Sequence, residues 1–261
     1  MEFTQKPKVS LLNYTENMLE LWCIVRRTMH SDIPNSVEEL KKDPQKWLGM
    51  SVEDYINNVL LLDGMPTYSE YGSFTFKLEN VSRALTHQLV RNRIGFSYSQ
   101  QSMRCVPANE FATKGLYHCP DTVEDKEAYH KKMLQVQDVY NDAIKNGVSI
   151  QDARGLLPTN IYTSIVFACS PRAFFGMISK RMCMKTQGEF REVAEQMVKQ
   201  VLEKVDPRLE RWIGPPCKFG KCMMFGENNL QHKEGKLTGK QNTDHCCPIF
   251  VAKFVKKENL K

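Results

Sequence analysis

Apolar and polar positions change period several times along the chain, and each change predicts an element. In the first third, Thr15 is placed to cap a helix from Glu16 to Met29. Ser36 with Glu39 three residues later forms a capping box ahead of Leu40, and Ser51 with Asp54 repeats the pattern. Gly64-Met65-Pro66-Thr67 reads as a turn. Beyond it Phe74, Phe76 and Leu78 alternate with Thr75, Lys77 and Glu79, which predicts a half-buried strand. From Asn80 to about Arg93 the period becomes helical. At about 100° per residue Val81, Leu85 and Leu89 share one side, and His87, Gln88 and Arg91 gather with Ala84 on a neighbouring arc. The run Ser97 to Arg104 has no helical stripe, and an extended backbone there would put Gln100, Ser102 and Arg104 on one side.

Further on, Tyr129, Met133, Val136, Tyr140 and Ile144 form the stripe of a helix from Thr122 to Lys145, stopped by Gly147. Ser149 with Asp152 opens a short helix ended by Pro158. Tyr162 to Phe167 reads as strand. Ser170-Pro171 is a helix entrance, because Ser caps and Pro suits the first helical position. That helix is expected to reach Val205, with a break near Gly188. Helices alternating with few strands indicate an α+β chain. After about residue 210 periodicity fades into Gly, Lys, Asn, Cys and His, so the chain divides into residues 1–210 and a Cys/His-containing extension, 211–261.

Composition narrows this picture only slightly. No apolar run approaches the roughly 18 residues of a membrane span, and MEFTQKPKVS lacks the apolar stretch of a secretory signal, so a cytoplasmic protein is expected. Nine scattered cysteines, an odd number, suggest reduced thiols rather than a disulfide framework. Lys and Arg exceed the acids by 36 to 30, which suits an anionic ligand without choosing between a nucleotide, nucleic acid and a charged surface.

The arginines are more informative by position. Gln88, Arg91, Arg93, Gln100, Ser102 and Arg104 crowd donors and acceptors into a short stretch. Arg offers a charged fork that matches phosphate oxygens, Ser adds a short donor, and Gln amides can read the edge of a base. On residue types alone the same cluster could be a solvated helix end followed by a polar loop.

The order of motifs goes further. Ser82-Arg83-Ala84-Leu85-Thr86-His87-Gln88-Leu89-Val90-Arg91-Asn92-Arg93, followed by Ser97-Tyr98-Ser99-Gln100-Gln101-Ser102-Met103-Arg104, resembles the signature of flavin-dependent thymidylate synthases: Arg-His-Arg, a short spacer, then Ser-x-Arg. Ala153-Arg154-Gly155-Leu156-Leu157-Pro158, Arg172 with Arg181, and Gln187-Gly188-Glu189 resemble the later motifs of that family in the same order. The resemblance implies mixed helices around a small, mostly antiparallel sheet, and a homotetramer with active sites shared between subunits. It implies methylation of deoxyuridine monophosphate at C5, with FAD as cofactor, methylenetetrahydrofolate as one-carbon donor and NADPH as reductant. Gln88, Arg91, Gln100, Gln101, Ser102, Met103, Arg104 and Arg154 would bind the nucleotide. Arg181 would be catalytic at the pyrimidine, its fixed charge stabilising negative charge as the ring is activated. Tyr71, Ser73, Asn92, Arg93, Ser170, Arg172, Gly176 and Lys185 would hold FAD, with Lys185 sharing a helical face with Arg181.

The chain also departs from that pattern. Asn92 stands where the signature has its central His, and Tyr71 stands beside Glu70 where the family has another. The spacer from Arg93 to Ser102 is one residue longer. Asn and Tyr hydrogen-bond but do not titrate near neutral pH as His does. A paralogue adding another one-carbon group, such as hydroxymethyl, is therefore the alternative, and a basic nucleic-acid-binding module a more distant one. His87 reads as a hydrogen-bonded structural residue and Cys105 as packing. In the extension, Cys217, Cys222, His245 and Cys246 supply ligand types for structural zinc at irregular spacing.

Overall fold

The computed structural model describes residues 4–29, 32–64 and 67–219, and the backbone of a short antiparallel pair, Gln231–Lys233 with Lys236–Thr238. Four strands form one antiparallel sheet: β1 (Lys8–Tyr14), β2 (Phe74–Ser82), β3 (Phe96–Gln100) and β4 (Tyr162–Cys169), in the order β1-β2-β4-β3. The expected alternation is present. Phe74, Phe76 and Leu78 of β2 and Ile165, Phe167 and Cys169 of β4 point to one buried face. Phe76 sits between Phe167 and Phe174, with ring centroids 5.4 and 5.5 Å away. Each fully buried side chain of this size contributes about 1.5–3 kcal/mol of burial free energy.

Short helices α1 (Met18–Arg27), α2 (Val37–Lys42), α3 (Pro44–Leu48) and α4 (Val52–Tyr55) lead into β2. The Ser36 hydroxyl accepts from Glu39 N and that of Ser51 from Asp54 N, as their spacing predicts. Thr15 does not cap α1. Asn17 holds the N-cap in a left-handed conformation, while the Thr15 hydroxyl accepts from Ser73 N at 3.0 Å and ties the entrance of α1 to β2. Met65 and Pro66 of the expected turn lie outside the described residues.

The helix expected over Asn80 to Arg93 is shorter. A bulge between Leu78 and Val81, with Asn80 at φ 55°, lets β2 continue to Ser82, so Val81 pairs with Thr163. Helix α5 (Arg83–Leu89) starts only there, with the Ser82 hydroxyl accepting from Leu85 N. Leu85 and Leu89 are its buried face. Helix α6 (Lys126–Lys145) starts four residues later than Thr122 because Asp125 is the side chain that caps it, and Gly147, at φ 88°, ends it as expected. Helix α7 (Ile150–Ala153) follows. Pro171 opens α8 (Pro171–Arg181), and α9 (Gly188–Lys204) is a separate helix after a six-residue turn.

The main core lies between the sheet and α1, α8 and α9 and extends to Trp212 and Ile213. A second, small core joins Phe111, Ala112, Tyr117 and Ile161 to Tyr129, Met133 and Val136 of α6. It supports the long loop after β3. There Gln137 is buried, and its side-chain oxygen accepts from Ala112 N, Thr113 N and the Thr113 hydroxyl at 2.8–3.1 Å.

Candidate functional site

Three groups of polar side chains stand out, and the elements explain each placement. The first lies at the junction of α5, α8 and α9. Arg181 is the last residue of α8, and its guanidinium donates to the side-chain oxygen of Gln88 at 3.3 Å and to the Gln88 carbonyl at 3.4 Å. It lies 4.6 Å over the ring of Phe190. Half-buried, it has no carboxylate in ion-pair reach among the described residues, and its Nε is buried without a hydrogen-bond partner. Burial pushes its pKa below the usual guanidinium range, but Arg still carries its charge near neutral pH. On its other side Gln88 donates to Gln187 at 2.5 Å, and Gln187 donates to the carboxylate of Glu189 at 3.4 Å.

The second group follows β3. The strand ends at Gln100, and Ser102 to Val106 form a turn in which Ser102 O accepts from Cys105 N and Val106 N. Alternation therefore fails beyond Gln100, and Gln100, Ser102 and Arg104 do not share a strand face. The side chain of Gln100 points inward instead, donating to Thr86 at 2.9 Å and Thr163 at 3.4 Å. Gln101, Ser102 and Arg104 are exposed, with Met103 half-buried between them. Arg83 donates to Gln101 O at 3.4 Å, and burial together with the charge of Arg154 lowers its pKa. Arg83 and the exposed Arg154 thus share this end. A cavity of about 310 Å³, lined by Gln101, Ser102, Met103, Asn80, Lys114 and Tyr162 among others, lies beside the turn. Cys105 is exposed rather than packed, because the turn carries it outward.

The third group sits at the opposite end of the sheet. Phe74 and Phe96 both pair with Cys169, which brings Ser73, Gly95 and Ser170 to one edge. Ser170 N donates to Gly95 O at 3.1 Å, and the Ser170 hydroxyl caps α8. A Cβ at Gly95 would stand 2.9 Å from that of Ala173, so the approach of this loop to α8 needs glycine. Arg172 pairs with Glu70 at 3.2 Å, and Gly176 lies one turn further along α8 facing open space. The exposed side chains of Tyr71 and Arg93 complete the group. Asn92 turns back on the helix: its amide donates to Leu89 O at 2.9 Å, while its own carbonyl accepts from the Tyr98 hydroxyl at 2.6 Å.

The structure therefore joins Gln88 to Arg181, and the sheet register brings Ser73 and Ser170 to one end, where Arg172 pairs with Glu70 beside Tyr71. Among the described residues, no hydrogen bond or ion pair links Arg181 or Gln88 to Ser102, Arg104 or Arg154. Arg91 and His87 are both exposed. Lys185 lies in the turn between α8 and α9 and does not share a helical face with Arg181, because α8 ends at Arg181. The zinc expectation at Cys217, Cys222, His245 and Cys246 falls on side chains outside the described residues. Among the described residues no group of three or more His, Cys, Asp or Glu could hold a metal ion, and no helix is long and apolar enough to cross a membrane. Sequence reading assigned no role to Arg83, Gln187, Glu189 or Phe190. Arg83, Gln187 and Glu189 make contacts 18, 99 and 107 residues away, while Phe190 packs under Arg181 nine residues back, and the signal the chain offered was the Gln187-Gly188-Glu189 motif.

Comparison with known proteins gives the family and the fold. The family described as thymidylate synthase complementing protein matches residues 10–208. A flavin-dependent thymidylate synthase of Pyrococcus furiosus is 32% identical over 225 residues, covering 82% of this chain and 88% of the relative. One from Clostridium tetani is 33% identical over 242 residues, with 84% and 91% covered. Among solved structures, the UMP/dUMP methylase PolB from Streptomyces cacaoi bound with 5-Br dUMP shares the fold at a TM-score of 0.59 and 20% identity, covering 81% of this chain and 96% of that one. ThyX from Helicobacter pylori complexed with FAD and dUMP does so at 0.59 and 16%, with 79% and 100% covered.

Proposed function

The chain belongs to the flavin-dependent thymidylate synthase family, and on that premise we propose that it methylates deoxyuridine monophosphate at C5 to thymidylate, in the cytoplasm, using FAD, methylenetetrahydrofolate and NADPH. The observation that carries this reading is Arg181: a half-buried guanidinium over an aromatic ring, held by Gln88 and lacking a counter-ion among the described residues. Such a charge is set to meet an electron-rich ring. Placed beside N3 and a ring carbonyl, it stabilises the negative charge that develops as the ring is activated to make C5 nucleophilic. Gln88 presents an amide to the base edge, while Ser102, Arg104 and Arg154 offer a hydroxyl and two charged forks suited to the 5′ phosphate. Gln101 and Met103 flank them, Arg91 adds a further charge, and Gln100 braces the end of β3 through Thr86.

The group at the opposite sheet end fits FAD by its donor set. Arg93 and Arg172 suit phosphate oxygens, Ser73 and Ser170 supply hydroxyls, Tyr71 offers an exposed ring, and Gly176 leaves open space along α8. Asn92 would contribute from the α5 side and the exposed Lys185 from the turn after α8. Bound FAD would supply the two-electron redox chemistry that a methyl product requires, with NADPH as the electron source.

As in the family it belongs to, the chain would act as a homotetramer with active sites shared between subunits. The test is mass spectrometry of the nucleotide after incubating the protein with deoxyuridylate, methylenetetrahydrofolate, FAD and NADPH. Thymidylate is the expected product. A hydroxymethylated nucleotide, or unchanged substrate with flavin bound, overturns the assignment and favours another C5 one-carbon reaction.

A further inference from the structure

Gln88 and Arg181 meet through an amide that could face either way, since a Gln side chain carries an acceptor at one corner and donors at the other. Its neighbours remove that freedom from both ends: the NH2 of Gln88 also donates to the Ala84 carbonyl at 3.4 Å, and Arg181 can only donate. Glu189 is 3% exposed, and its carboxylate accepts from Ser82 N and from the Ser82 hydroxyl, both at 2.6 Å. An ionised carboxylate only accepts, so Gln187 must turn its NH2 toward it, at 3.4 Å. The oxygen of Gln187 is then left for the NH2 of Gln88, at 2.5 Å. The oxygen of Gln88 is left for Arg181, at 3.3 Å. Reversing any one amide would set donor against donor or acceptor against acceptor, leaving a half-buried polar pair unsatisfied.

We propose that Glu189 is a positioning residue which, through Gln187, fixes the Gln88 amide with its oxygen toward Arg181 and so aims the guanidinium. The proposal rests on reading Gln88 and Arg181 as groups that face the nucleotide. The carboxylate sets the far end of the relay as the donor-only Arg181 sets the near end, and the same carboxylate anchors Ser82, the cap of the helix that carries Gln88. A group that merely joined α9 to α5 would need the Ser82 contacts and not Gln187.

The experiment compares the FAD-loaded full chain with three variants. Glu189→Gln sets a donor beside Gln187, so that the relay can no longer satisfy both that end and the donor-only Arg181, and it is expected to lower kcat about tenfold, with a smaller change in KM for deoxyuridylate and FAD retained. The paired exchange of Glu189→Gln with Gln187→Glu puts an acceptor-only group beside Gln88 and restores the order. It is expected to recover kcat to within about twofold of the parent. Gln187→Leu cuts the relay while leaving the contacts of Glu189 to Ser82, and is expected to match the loss in Glu189→Gln. A fully active Glu189→Gln or Gln187→Leu overturns the proposal, as does an exchange no better than the single variant. If the parent protein makes no thymidylate, the functional reading fails, and crystal structures then decide the relay. Loss of the Arg181–Gln88 contacts in Gln187→Leu supports it, and contacts unchanged at 3.3 and 3.4 Å overturn it.

Discussion

The junction of α5, α8 and α9 and the turn after β3 both present arginines, yet they handle charge in opposite ways. At the junction Arg181 is half-buried, stacked over Phe190 and held by an ordered run of amides ending in a buried carboxylate. At the turn Arg104 and Arg154 are exposed, and the backbone is held from below by Gln137 and the small core around Phe111. A charge kept out of water acts strongly on a neighbouring reaction centre because little solvent screens it. An exposed fork reaches a mobile phosphate readily but is screened by salt. The contrast suits chemistry at the junction and anion capture at the turn.

Four changes probe that division, beginning with the largest. Arg181→Ala is expected to lower kcat at least about 10³-fold while flavin remains bound, because it removes the charge facing the ring. Turnover and the flavin spectrum check it, and full activity would remove Arg181 from the chemistry. Arg104→Ala is expected to weaken deoxyuridylate binding by about ten- to a hundredfold through one lost charged contact, with kcat at saturation nearly unchanged. An unchanged dissociation constant by calorimetry would put the phosphate elsewhere.

Gln137→Ala acts on the support of the turn alone. Deleting an acceptor shared by three donors is expected to cost about 1–3 kcal/mol and to speed amide exchange over residues 108–116, leaving Arg181 untouched. If exchange rises equally in α8, the two regions are not separable. The smallest effect is that of salt. Raising ionic strength from about 0.05 to 0.5 M is expected to weaken nucleotide binding a few-fold and leave kcat at saturation within about twofold. A kcat that falls as steeply as the affinity would mean that the junction is as exposed to solvent as the turn.

The alternation of Phe74, Phe76 and Leu78, the stripe on α6 and the Ser caps at 36, 51, 149 and 170 were legible in the chain because each depends on residues within one turn or one strand. Helix starts were less legible. At Thr15 and Asn80 a neighbouring strand claimed the residue, and local spacing carries no trace of that competition. The site shows the same limit. Motif order singled out Arg181, Gln88 and the Ser-x-Arg run, but a turn at Ser102 broke the extended face on which three of the side chains were expected to meet.

By itself, then, the sequence determined the class of fold through its residue periods, the family through its resemblance to a motif series, and the set of arginines and amides offered to an anionic ligand through its residue types. Only the tertiary structure decided which of them meet. The pairing of Gln88 with Arg181 spans 93 residues and that of Ser82 with Glu189 spans 107. Such contacts form because sheet register and the break between α8 and α9 bring three helix ends together. The partial burial that lessens the screening of the Arg181 charge exists only once they do.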